Sequence, residues 1–347
     1  MNGDPLGKDH RGEGRFPARR WRTCEGLSKK RRAKTASDVQ DNHGASVKPS
    51  VVLLFGAGAS HLDGGNDRPP LTSGLFVPLQ KRFPDTWGKI SSDKADAFAR
   101  NFEKEMDKAA HGSPLLAEMT TDMALYFSGF RPRQSEDDPY CRLIKGRRRL
   151  IRSRRLVVAT LNYDCLIERA AEQAGFPFPP YYFKPGDGLR LLKLHGSCNF
   201  IVNQGNITIE NKLTMAQNSK YESTVEPCHP DDVPKLLERR RFPPAMALIT
   251  PEKEILSCRR QIDQIQDTYA KEVSRTDRIA VVGVKLARPN VDQQVWGPLI
   301  QSRAKIVFVG NEMSCKELAD MRPGVETKWL GRRLESSMEK LERFFSI

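Results

Sequence analysis

Val51-Val52-Leu53-Leu54-Phe55-Gly56-Ala57-Gly58-Ala59-Ser60 is the stretch that decides the fold. Five apolar residues run without a polar break and stop at Gly56. That is the pattern of a strand buried on both faces of a parallel sheet. Residues 156–161, 279–284 and 305–309 repeat it, and each run leads through a polar or glycine-containing turn into a helical pattern. After Leu161, for example, Leu166, Ile167, Ala170, Ala171 and Ala174 mark one helical face. Strands alternating with helices predict an α/β fold with a doubly wound, mostly parallel sheet.

The hundred or so residues between the first two runs hold no convincing strand, far more than an ordinary connection needs. Helices are predicted at 72–82, 94–110, 114–128 and 139–152, a helical insertion (about 72–152) covering the sheet. Residues 201–209, with Asn203-Gln204-Gly205-Asn206 between short apolar alternations, read as a small hairpin. Residues 211–243 read as a polar excursion.

Working outward, residues 1–49 carry 12 basic and 6 acidic side chains and no sustained apolar periodicity. They are expected to form a basic disordered tail, with residues 50–347 as the folded domain. The whole chain has 347 residues and a net charge of +14, with 38% hydrophobic and 29% charged residues. No apolar run approaches the ~18 residues of a membrane span, and the polar, arginine-rich first thirty residues do not read as a secretory signal. The seven cysteines are odd in number and widely spaced, which fits reduced thiols, a cytoplasmic location and no cysteine zinc knuckle. The basic excess favours polyanions. Its densest run is residues 145–155, where Lys145, Arg147, Arg148 and Arg149 are candidates for non-specific nucleic-acid contact; a solvated helix face explains the same run.

Three strand ends carry candidate chemistry. Gly56, Ala57, Gly58, Ala59 and Ser60 form a small-residue turn where backbone N–H groups can approach a phosphate; a tight packing turn explains it equally. Thr160-Leu161-Asn162-Tyr163-Asp164 puts Asn162 and Asp164 at the crevice, or caps the following helix. Lys193-Leu194-His195-Gly196-Ser197 presents a histidine that can titrate near neutrality, or one simply packed in the core.

In this order and context the three motifs resemble the sirtuin-like family, and more closely its bacterial branch of NAD-consuming, defence-associated proteins. Pro69-Pro70-Leu71, residues 247–251, residues 278–283 with Asp292 nine residues on, and residues 305–311 agree with it. The resemblance implies a Rossmann-like domain that binds NAD as substrate. It places the pyrophosphate at Gly56 to Ser60, and Thr160, Asn162 and Asp164 near the nicotinamide ribose, with Asn162 and Asp164 among the catalytic residues. Gly283 and Asn311 fall on the adenosine side, and His195 is the general base. The implied activity is cleavage of the nicotinamide–ribose bond by an NAD glycohydrolase in anti-phage defence, working without a metal and within a homo-oligomer or with a partner protein. A protein deacylase or ADP-ribosyltransferase is the first alternative, and a nucleic-acid-binding subunit the second. The four-cysteine module of the deacylating members is missing from the sequence.

Overall fold

The structure, a computed structural model, describes residues 50–61, 68–133, 138–178, 182, 188–206, 208–209, 221–239, 242–286 and 292–346. The predicted tail, 1–49, lies outside the described residues, as does 211–220 of the excursion.

The strands among the described residues are β1 (Val51–Phe55), β2 (Leu156–Thr160), β3 (Leu191–Lys193), β4 (Phe200–Val202), β5 (Thr208–Ile209), β6 (Tyr221–Glu222), β7 (Val225–Pro227), β8 (Arg278–Val282), β9 (Lys305–Val309) and β10 (Thr327–Gly331). Six of them form one sheet in the order β10-β9-β8-β1-β2-β3, with every neighbouring pair parallel. Numbered along the chain, that is the 3-2-1-4-5-6 order of a Rossmann fold, whose direction of winding reverses between β1 and β8. The apolar runs explain why. Every residue of β1 and β2 is buried, as are four of the five in β8 and in β9, so each of these strands must be covered on both faces.

The covering helices up to the second strand are α1 (Ala57–Ser60), α2 (Phe76–Arg82), α3 (Ser92–Arg100), α4 (Phe102–Gly112), α5 (Leu116–Ser128), α6 (Pro139–Gly146) and α7 (Arg148–Arg152). All but α1 make up the helical insertion after the first strand. It has its own aromatic centre, where Trp87 stacks on Phe102 and Phe76 on Phe98. The helix expected over 94–110 is broken at Asn101, which leaves helical geometry and caps α4 by accepting the Lys104 N–H. Side-chain capping here beats continuous periodicity. The remaining helices are α8 (Leu166–Gln173), α9 (Val233–Leu237), α10 (Arg259–Arg275), α11 (Gln293–Gln301), α12 (Glu312–Asp320) and α13 (Leu334–Phe345).

The hairpin expected at 201–209 does not form: β4 pairs antiparallel with β7, and β5 with β6. Val202 thus faces Val225 and Thr208 faces Glu222, and the expected excursion contributes β6, β7 and α9.

Candidate functional site

A cavity of about 1300 Å³ opens at the carboxyl ends of the strands, across the β1/β8 switch point. In a doubly wound sheet this crevice is where ligands bind. Gly56, Ala57, Gly58, Ser60, Asn162, Asp164, His195, Gly283 and Asn311 all line it, so nearly every candidate residue converges there.

Two strand-end turns meet at the floor. Gly58 N–H donates to Gly283 O at 2.9 Å, and Gly56 N–H to Val282 O at 2.9 Å. A Cβ on Gly56 or Gly58 would come within 2.9 Å of Gly283 O, and one on Gly283, at φ +66°, within 2.0 Å of Ala59 N. These glycines are therefore demanded by backbone packing at the switch point itself. Ala59 and Thr160, both expected at the ligand, are buried and do not line the cavity. Thr160 Oγ1 instead accepts the Asn162 N–H at 3.0 Å and shapes the turn after β2.

Ser60 is the hub of a buried polar lattice. Its Oγ lies 2.9 Å from Tyr140 Oη and 3.4 Å from Asp164 Oδ2, and accepts from Asn162 Nδ2 at 2.9 Å. Asn162 Nδ2 also donates to Gly56 O at 3.1 Å. A backbone carbonyl only accepts, so it fixes the amide's orientation and leaves Oδ1 as the group free for a ligand. Asp164 Oδ1 accepts the Leu166 N–H at 3.1 Å, so the helix-capping role and the crevice position coexist. Burial pushes the Asp164 carboxyl above the usual range; the Lys193 charge and the Leu166 N–H oppose this without cancelling it.

Beneath lies Lys193, fully buried, 3.2 Å from the equally buried Glu168 and donating to Asp164 O. Burial works against its charge, but Glu168, with smaller contributions from Cys165, Asp164 and Cys198, holds it above the ordinary lysine range. Tyr182 Oη donates to Glu168 Oε1 at 3.2 Å. This layer fixes the ends of β2 and β3 against α8.

His195 follows β3 and is held through its backbone: its carbonyl accepts the Ala247 N–H at 2.8 Å, and Ser197 N–H donates to Ala245 O at 3.1 Å. Gly196 has φ +74°, and a Cβ there would sit 2.0 Å from Ala245 O, so only glycine lets the chain pass. The imidazole Nε2 is buried and lies 3.4 Å from Asp292 Oδ1. That distance allows charge interaction, but Nε2 makes no regular hydrogen bond. Lys253 and Glu103, 3.0 Å apart, line the same cavity.

The other half of the cavity is built differently. Asn311 Oδ1 accepts the Met313 and Ser314 N–H groups and caps α12. Beside it Met313, Trp329, Lys285 and Arg332 are exposed. No motif in the sequence marks Tyr140, Glu168, Lys253 or Trp329. Their positions depend on tertiary contacts, and only the Lys193 within an apolar strand hinted at a buried partner.

The basic run 145–155 lies at the amino end of β2, away from the cavity. Arg147 packs over the Phe345 ring at 4.9 Å and donates to Glu342 O, while Arg148 donates to Ala174 O. Two of the four candidate cations thus serve packing. No cluster of His, Cys, Asp or Glu able to hold a metal occurs among the described residues.

No family model and no curated protein matches the chain. Solved structures do. One described as "Structural Basis for the Mechanism and Regulation of Sir2 Enzymes" matches at 15% identity and a TM-score of 0.38, over 86% of this chain and 92% of its own. A Sir2 homologue–NAD complex matches at 17% and 0.37, over 84% and 88%. A Sir2 homologue mutant–ADP ribose complex matches at 18% and 0.40, over 84% and 90%. A likeness this distant says nothing of chemistry, which rests on the chain's own residues.

Proposed function

We propose that the chain is an NAD glycohydrolase. The observation that carries the reading is the convergence of Ser60, Asn162, Asp164 and His195, from three strand ends, on one side of a switch-point cavity. The resemblance of those three motifs to sirtuin-like NAD-consuming proteins agrees with it. A dinucleotide lying across the switch point reaches both halves, its pyrophosphate beside the Gly56 to Ser60 turn.

Cleavage of the nicotinamide–ribose bond releases a neutral leaving group and leaves an oxocarbenium-like sugar. The free Asn162 Oδ1 can accept a hydrogen bond from a ribose hydroxyl or from the attacking water, fixing it for reaction. His195 takes the proton from that hydroxyl or water as general base. The lattice around Ser60 holds the Asn162 amide with little reorganisation during reaction. Depletion of NAD in anti-phage defence, inside an oligomer or with a partner, is the biological setting we infer.

Purified protein incubated with NAD should release nicotinamide with no acylated peptide present. Release only on adding such a peptide would overturn this reading in favour of a deacylase. Added DNA or RNA serves as a further arm; nicotinamide-free binding of either, with no turnover, would favour a nucleic-acid-binding subunit.

A further inference from the structure

Two pairs of opposite charge line the cavity. His195 Nε2 faces Asp292 Oδ1 at 3.4 Å, and Lys253 Nζ binds Glu103 at 3.0 Å. Asp292 and Lys253 also feel each other's charge. The four groups come from the end of β3, the residue before α11, the loop before α10 and the first turn of α4. Tyr163 completes the surroundings, its ring 6.4 Å from that of His195.

Backbone strain gives an independent sign. Among the described residues four non-glycine positions have positive φ, and two of them are Asp292 at +55° and Lys253 at +50°. Non-glycine residues populate the left-handed region sparsely, and those that do collect at functional sites. Here both strained residues line the cavity. Burial raises the Asp292 carboxyl, but His195 and Lys253 outweigh it and hold it below the usual range, so the group is a carboxylate.

We propose that Asp292 is a positioning residue that holds the His195 ring with its proton on Nε2, leaving the Nδ1 lone pair as the base. The proposal rests on the glycohydrolase reading for its chemistry. In the step, the O–H bond of a ribose hydroxyl or water breaks and Nδ1–H forms. The Nε2 proton stays, and the resulting imidazolium faces the carboxylate, which carries the compensating charge.

The test uses the full chain with ¹⁵N-labelled histidine, the His195 signals being identified by their loss in His195→Gln. Neutral His195 should carry its proton on Nε2 in the wild type, and shift toward the Nδ1–H form in Asp292→Asn. The same variant should bind NAD within threefold of wild type while kcat for nicotinamide release falls about 10–100-fold, with partial recovery in Asp292→Glu. An unprotonated Nε2 in the wild type overturns the proposal even if Asp292→Asn fails to fold. So does a folded Asp292→Asn protein with wild-type kcat. A chain that shows the Nε2–H form but turns over no NAD supports the pair and defeats the glycohydrolase reading instead, so the two failures are distinct.

Discussion

The two halves of the cavity are built to opposite standards. Over β1, β2 and β3, the side chains of Ser60, Asn162, Asp164, Lys193 and His195 are buried, and a ladder of hydrogen bonds and one fully buried ion pair fixes all but the His195 ring. Over β8, β9 and β10, Lys285, Met313, Trp329 and Arg332 lie exposed, and the polar contact that ties Trp329 down is its indole N–H to Gly310 O at 3.0 Å. The first half is preorganised, as the proposed bond cleavage requires; the second is open enough to take the far end of a ligand.

If the first half is a lattice under constraint, breaking its deepest member should hurt most. Lys193→Met leaves the buried Glu168 carboxyl without its charge partner, and we expect a loss of ~3–5 kcal/mol in unfolding free energy, read by denaturant titration. A loss under 1 kcal/mol would mean the layer is not holding the strand ends. Gly283→Ala, at the seam between the halves, should cost about 2–4 kcal/mol, because its new Cβ meets Ala59 N and its φ is left-handed.

Asp164→Asn sharpens the comparison through pH. Burial raises this carboxyl, so the folded state holds its proton more tightly than the unfolded chain does. Ionisation therefore erodes stability as pH rises from about 4 through the raised folded value. Asn keeps an oxygen for the Leu166 N–H and removes that penalty. The variant should match or exceed wild-type stability at pH 7, with its relative advantage shrinking as pH falls toward 4. An advantage that grows on acidification would contradict the assignment.

The smallest effect belongs to the open half. Trp329→Ala should change stability by no more than about 1 kcal/mol and raise the KM for NAD a few-fold with kcat unchanged. A large fall in kcat would erase the division of labour.

How much of this could be read in advance follows from burial. The apolar runs of β1, β2, β8 and β9 stood out because both faces of those strands are covered. The edge strand β10 did not, since Lys328 breaks the apolar run and Leu330 alone of its residues is buried. Candidate site residues were legible as strand-end motifs, and the fold brought nearly all of them to one cavity. What each does there was not legible. The glycine turn packs on Gly283, distant in the chain but at the end of the neighbouring strand β8, and His195 meets Asp292 only after α10, β8 and the switch point are assembled. Thr160 and Ala59 share the motifs yet point away from the cavity, a distinction of one residue's alternation along a strand or turn.

The most direct measurement is NAD affinity and nicotinamide release on the same His195→Ala protein, beside its thermal unfolding. We expect an unchanged fold, NAD binding within a few-fold of wild type, and turnover reduced by about 10²–10⁴. A folded His195→Ala chain that releases nicotinamide at the wild-type rate would contradict the account.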